Sequence, residues 1–420
     1  MTGARWTVRR GAAALAVVAG FAFAAAAAGA APARSAPARP AAAAPAPAPA
    51  SASADATSPE ARLIAIYRLV HGGHTREALD QAERLVHDVP NFQLAQLLYA
   101  DLLVARQGPR PPREDVPAEA REQHAQLRRE ALQRLAALRE PPPPGAAPRE
   151  FLQLPPSTRH AIAVDASRSR LYLFENTRQG LRLVEDHYVS VGRHGVGKAQ
   201  QGDQRTPLGV YFITSRLDPK QLQDFYGAGA LPLNYPNEHD RREGRTGHGI
   251  WLHGVPSRHF ARTPQSTDGC VVLANPDMRA LLGTVEPRRT PVVIGAALQW
   301  VTPAQNAPRR AAAAELVEQW RQARSSGDAA RLLAFYSPRF ASGTADAADW
   351  AERVRRELRA ARGRPAELKD LSILSWQDRG DLLVVTFGLV LKGERTGPVR
   401  RQYWAREGGQ WKIFFEGAIG

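Results

Sequence analysis

Two proline-rich stretches divide this 420-residue chain before any periodicity is considered. Proline has no N–H to donate and its ring blocks the preceding helical turn, so neither stretch can lie inside a helix or a central strand. The first, residues 32–57, is nearly all Ala, Pro and Ser, a composition that cannot bury a core and predicts an extended tether. The second, Pro141-Pro142-Pro143-Pro144-Gly145, ends a charged helix and opens a new domain. A multidomain chain follows, with pieces at 1–31, 32–57, 58–140, 146–301 and 305–420.

The first piece reads as an export signal: Arg5, Arg9 and Arg10 precede an apolar Ala/Val/Phe stretch that runs to Ala31. Ala28-Gly29-Ala30 suits cleavage, and an uncleaved inner-membrane anchor is the alternative. No later stretch approaches the ~20 apolar residues that span a bilayer. Export places the protein in the periplasm or cell envelope. The net charge of +15 invites a nucleic-acid reading, but the basic residues are spread along the chain and alternate with acids. An exported chain meets no DNA, so nucleic acid is excluded, and the charge favours anionic envelope polymers or lipid headgroups.

Residues 61–70 predict a helix, His71-Gly72-Gly73-His74 a turn, and Thr75 the cap of a second helix to Val86, with a third helix after Pro90-Asn91. With Ala78 and Ala82 at i, i+4, this pattern resembles one tetratricopeptide-like repeat and the start of another; a plain helical hairpin is the alternative. The module is the candidate surface for protein partners. A charged helix follows at 117–139. Beyond the prolines, short strands at 160–165, 170–175, 181–184 and 188–192 predict a β-rich domain that ends near Ile294. From Gln305 the order is helix 311–325, a short helix to Tyr336, helix 347–361, and strands near 368–375, 380–391, 397–406 and 410–415. That order suggests an α+β domain with a curved sheet over helices, and Trp320, Tyr336, Trp350, Trp404 and Phe414 are expected in its core.

Cys270 is the single cysteine, in the run Ser266-Thr267-Asp268-Gly269-Cys270-Val271-Val272-Leu273, seventeen positions after His253-Gly254. A lone exported cysteine has no disulfide partner, and a free thiol there is an oxidation liability that chemistry explains better than packing. The bland reading, an inert buried thiol, suits the flanking valines and leucine. A nucleophilic thiol needs a base, and His253 at the end of the apolar strand 250–252 is the choice, with Gly254 letting a backbone carbonyl orient the ring. The amides of Gly269 and Cys270 are expected to face a developing oxyanion, with Ser266 and Asp268 bracing the turn. Asp277 and Glu286 are alternative third members beside that carbonyl.

Two rival motifs are weaker. Gly192-Arg193-His194-Gly195-Val196-Gly197-Lys198 has phosphate-loop spacing, but Ala199 stands where a magnesium-binding hydroxyl belongs. His239, Asp240, His248, His253 and His259 lack the compact spacing of metal ligands. No metal and no cofactor is expected.

His253-Gly254 and Thr267-Asp268-Gly269-Cys270 resemble the signature of the L,D-transpeptidase catalytic domain, also called the YkuD domain. Residues 202–211, 233–237 and 247–254 are similar to further segments of that family, and the resemblance covers about 158–295. It implies an L,D-transpeptidase fold acting on peptidoglycan stem peptides, with Cys270 and His253 catalytic and Gly254 and Gly269 shaping the site. It also implies substrate contacts by Arg205, Tyr235, Asn237 and His248, completed by Thr267 and Asp268 beside the thiol. The chain departs from the pattern in carrying Asp268 for a histidine and Val272 for an arginine. The tail resembles the nuclear transport factor 2-like domain of a subgroup that includes L,D-carboxypeptidases. The implied chemistry is a thioester acyl-enzyme passed to an amine or to water; the competing reading is a non-catalytic envelope scaffold.

Overall fold

The structure, a computed structural model, describes residues 57–108 and 117–419. The expected signal and all but the last residue of the tether lie outside them. Among the described residues no helix is long and apolar enough to cross a membrane.

The described residues divide into two compact units, one comprising 57–90 with 95–108 and 117–122, the other 91–94 with 123–419. In the first, α1 (Pro59–His71) begins where Ser58 Oγ accepts from the Ala61 N–H and Pro59 fills the first turn. α2 (Thr75–Asp88) follows the glycine turn; Thr75 is its first helical residue rather than its cap, a position taken by His74. Leu63, Ile66, Ala78, Ala82 and Leu85 are all buried, the alanines allowing close approach. α3 (Gln93–Gln107) belongs to this unit from Ala95 on, and α4 (Ala118–Arg139) only as far as Glu122, the rest of it lying in the second.

In the second unit, β1 (Ala147–Pro148) and β2 (Phe151–Gln153) lead into β3 (His160–Asp165), β4 (Arg170–Thr177) and β5 (Gly180–Gly192). β5 is one continuous strand where two pieces were expected. β6 (Gly209–Phe212), β7 (Ala230–Pro232), the short helix α5 (Glu238–Arg242), β8 (Trp251–His253), β9 (Gln265–Thr267), β10 (Val271–Leu273), α6 (Asn275–Thr284), β11 (Pro291–Gly295) and β12 (Trp300–Val301) follow. The central sheet runs β6-β11-β3-β4-β5-β10-β8-β7, with β9 beside β5. Its strands bury both faces. Ile162, Val164, Leu171, Leu173, Leu252, Val271 and Leu273 join one core under α6, while Ala161, Ala163, Tyr172 and Phe174 join another. Strands buried on both sides read as unbroken apolar runs, which is why 160–165 was so legible.

The tail starts at α7 (Pro303–Ser325), where Thr302 and Gln305 form a reciprocal capping box. The helix begins eight residues earlier than expected, with Pro303 in its first turn and Pro308 inside it. α8 (Ala329–Leu333), α9 (Ala347–Ala361), β13 (Ala366–Gln377), β14 (Asp381–Leu391), β15 (Val399–Glu407) and β16 (Gln410–Ala418) keep the predicted order. Their sheet is ordered β16-β15-β14-β13-β2. Trp320, Trp350 and Trp404 fill the core between its inner face and the helices; its outer face packs Leu374, Val384, Tyr403 and Phe414 against the central sheet. The unforeseen member is β2, which precedes the central sheet in the chain yet pairs with β13 of the tail, Gln153 opposite Ile373 and Phe151 opposite Leu374.

Candidate active site

β10 lies between β5, which it meets antiparallel, and β8, which it meets parallel with Val271 opposite Leu252 and Val272 opposite His253. Alternation sends Leu252, Val271 and Leu273 into the core and turns Val272 and His253 to the other face. Carried one position back, it puts Cys270 on the face of His253, the two Cα atoms about 8 Å apart from strand spacing and rise. Thiol and imidazole therefore share one surface of the sheet.

His253 is buried, and its Nδ1 lies 2.7 Å from Gly254 O. A carbonyl can only accept, so Nδ1 carries the proton and Nε2 keeps its lone pair. Burial, with the Arg262 charge adding to it and the Gly254 bond opposing it, lowers the His253 pKa to about 4. The ring is a neutral base. Asp277 and Glu286, the alternative third members, are engaged elsewhere: Asp277 with His187 at 3.4 Å and Glu286 with Arg159. Gly254 must be glycine, because a Cβ there would lie 2.2 Å from Asn275 Oδ1 and 2.8 Å from Ala228 N. Asn275 fastens this corner, accepting from the Ala228 and Val255 amides and donating to Val255 O.

Cys270 is half-buried, and its Sγ donates to Gly249 O at 3.4 Å. Burial pushes the thiol up to about 11, although the Trp251 amide favours the thiolate. The resting pair is thus a neutral thiol and a neutral imidazole, not the ion pair a histidine-activated cysteine suggests. The turn before the thiol also differs from expectation. The Gly269 N–H donates to Thr267 Oγ1 at 3.1 Å, so that amide is committed inside the turn and does not face an oxyanion. Thr267 Oγ1 in turn donates to Cys270 O at 2.7 Å. Thr267, buried, is the brace assigned to Ser266 and Asp268; Ser266 Oγ donates to Thr263 O, and exposed Asp268 accepts from Gln204 Nε2. Gly269, at φ +127°, passes so close to Arg205 O that a Cβ would sit 2.7 Å away.

Of the six expected substrate contacts, Thr267 is withdrawn because its hydroxyl is used inside the turn, and Asp268 is exposed and bonded to Gln204; the other four separate into two groups. Tyr235 is buried with its hydroxyl donating to Thr246 O, and Asn237 is the buried N-cap of α5, donating to Val210 O. Both are fixed parts of the fold and are withdrawn as substrate contacts, because main chain already satisfies their polar atoms. Arg205 and His248 are exposed, Arg205 donating to Val196 O and His248 adjoining Gly249. In the phosphate-loop-like segment, Lys198 Nζ pairs with Asp203 at 2.8 Å, and the Ala199 and Gln200 amides donate to the same carboxylate. An internal carboxylate occupies the donors a phosphate would need. His239 pairs with Asp378.

Three aromatic residues and one arginine had not been singled out. Tyr226 lies 5.1 Å from the His253 ring and 4.8 Å from Trp251, Phe225 lies 5.8 Å from His253, and the Arg262 guanidinium lies 4.7 Å from the Phe225 ring. The aromatic pair Phe225-Tyr226 followed by Gly227 was the signal available: a Cβ on Gly227 would meet Asn275 Oδ1 at 2.2 Å, tying this turn to the catalytic corner.

Residues 159–294 match the L,D-transpeptidase catalytic domain, YkuD. The central domain is a YkuD domain. Residues 312–417 match the Cds6 C-terminal NTF2-like domain, so the tail is NTF2-like. Among solved structures the chain is similar to Bd1075 of Bdellovibrio bacteriovorus, at 27% identity over 65% of this chain and 98% of that one, with a TM-score of 0.56. It is also similar to the helical cell shape determining protein Pgp2 from Campylobacter jejuni, at 20% identity over 61% of this chain and 91% of that one, with a TM-score of 0.50. No curated protein matches the chain.

Proposed function

We propose that the YkuD domain is a cysteine acyltransferase acting on peptidoglycan stem tetrapeptides at the bond between the diaminopimelate L-centre and the terminal D-residue. The observation that carries this reading is the shared sheet face of Cys270 and His253, with Nδ1 held by Gly254 O so that Nε2 is the free base. Substrate entry displaces the thiol proton from Gly249 O. His253 Nε2 takes that proton as Sγ bonds to the scissile carbonyl carbon, and the Cys270 amide is the main-chain donor beside the forming oxyanion. Collapse breaks the C–N bond, and the imidazolium returns the proton to the departing D-amino acid. The thioester then passes to water, releasing tripeptide, or to an amine, giving a cross-link or protein attachment.

Support for the envelope as its location is the basic, then apolar, start of the chain. A contribution to cell shape, which Pgp2's name states of that protein, belongs to the same proposal. So does a protein-binding, tetratricopeptide-like role for the helices, which rests on the buried alanines of the α1–α2 hairpin. Tetrapeptide muropeptides incubated with the protein are expected to yield tripeptide or dimer, and none with Cys270→Ala. Absence of both products from the unaltered protein ends the proposal.

One observation favours a second reading, a peptidoglycan-binding scaffold: the thiol is held up to about 11 and its proton points at Gly249 O rather than at the imidazole. A carbapenem separates the two, since a scaffold thiol stays unmodified at neutral pH and a working nucleophile is acylated, as intact-mass measurement reads directly.

A further inference from the structure

The loop from Val255 to Pro264 borders the site and is fastened at many points. Asn91 Nδ2 donates to Ser257 O and the Phe260 N–H to Asn91 O, both at 3.0 Å, and the Phe92 and Phe260 rings lie 4.2 Å apart. From the sheet, the Tyr188 hydroxyl donates to Arg262 O at 3.0 Å and Ser190 Oγ to Thr263 O at 2.6 Å. Those bonds hold the backbone of Arg262 in place. Its guanidinium is half-buried over Phe225, on the side of the Cys270 thiol; the Asp268 carboxylate acts on it from a distance, and among the described residues no carboxylate lies within ion-pair distance of it. Partial burial of a guanidinium whose carboxylate neighbour, Asp268, stays beyond ion-pair distance is unfavourable, and an arriving anion relieves it. Phe225, 43% exposed, leaves the approach open to solvent.

We propose that Arg262 binds a carboxylate of the peptide substrate and so selects stem peptides in which that carboxylate is free. The inference rests on the reading of Cys270 and His253 as a peptide site. Two carboxylates carry this chemistry: the α-carboxylate of the terminal D-residue, and the free side-chain carboxylate of the diaminopimelate residue before it. A charge-assisted contact to one of them is worth about tenfold or more in affinity.

Binding to Cys270→Ala, followed by tryptophan fluorescence, reads this without turnover. Three ligands are compared: the tetrapeptide, its C-terminal amide, and the peptide amidated on the side-chain carboxylate. The amide of the recognised carboxylate is expected to bind about tenfold or more weakly, and adding Arg262→Gln weakens the tetrapeptide to that same level while leaving that amide unchanged. Arg262→Lys falls between, and Arg258→Gln, which removes an exposed charge from the same loop, changes nothing. Equal binding of all three ligands, no binding at all, or full discrimination retained by Arg262→Gln overturns the proposal. If Arg262-dependent binding is found but the unaltered protein yields no product, the inference stands and the acyl-transfer reading falls.

Discussion

Replacing Gly254 by alanine tests the catalytic corner most directly. The added methyl would lie 2.2 Å from Asn275 Oδ1, 2.8 Å from Ala228 N and 3.2 Å from Tyr226 O. Reaching ordinary contact requires about 1 Å of movement in backbone held on both sides, and such overpacking costs about 1–3 kcal/mol. Asn275→Ala alone removes two accepted bonds and one donated bond, at 2.8, 3.2 and 2.9 Å. At about 1 kcal/mol each that is a loss of about 2–3 kcal/mol. The two changes are coupled, because the oxygen that the methyl strikes is the one Asn275→Ala removes. The double variant is therefore expected to fall short of the sum by about 1–2 kcal/mol, with the Ala228 amide keeping the relief incomplete. Urea unfolding of the four proteins supplies the cycle. Because Gly254 O also holds His253 Nδ1, carbapenem acylation of Gly254→Ala is expected to slow by about 100-fold. Strict additivity, or Gly254→Ala acylating at the unaltered rate, would refute the reasoning.

Two further expectations concern pH. With the thiol at about 11, about one molecule in 10⁴ carries a thiolate at pH 7, so iodoacetamide labelling of Cys270 should rise about tenfold per pH unit from 7 to 10; a plateau below pH 8 would mean a thiolate–imidazolium pair instead. His253, at about 4, is already base-competent at pH 6, so kcat/KM should show no inflection near 6.5. On β5, burial alone would lower the His187 pKa, but its bonds to Asp277 and Glu185 outweigh that and raise it to about 9. A folded value above the unfolded 6.5 means stabilisation complete below pH 6.5 and lost as pH rises through 9, so thermal unfolding of the unaltered protein should lose ground to His187→Gln across that window; parallel curves would show that the ring is not charged.

Turn chemistry and apolar runs made much of the fold legible. His160–Asp165 and Ala347–Ala361 fall where expected because a doubly buried strand and a helix with the capping Asp346 advertise themselves locally. β2 gave no such sign: three residues pairing with a strand far along the chain leave no local period to read. At the site, Cys270 and His253 were legible because a lone thiol and a histidine at a strand end are chemically conspicuous. Tyr235 and Asn237 misled because a polar or aromatic residue beside a turn looks alike whether it faces solvent or main chain, and only burial tells which. The Gly269 amide misled likewise, since Thr267, two residues earlier, captures it through a local hydroxyl bond. Arg262 is one of many arginines in this chain, and nothing but its position over Phe225 sets it apart.

The pairing of β2 with β13 has a consequence for biosynthesis. Gln153 leaves the ribosome about 220 residues before its partner Ile373, an interval of about 10–45 s at ordinary elongation rates. During that time the nascent central sheet carries an unmatched ribbon, in which Phe151 has its neighbour Phe174 but Leu152 lacks the tail core it packs into. A chaperone contact there, or a premature stop before residue 373, would leave an adhesive edge on an otherwise finished catalytic domain.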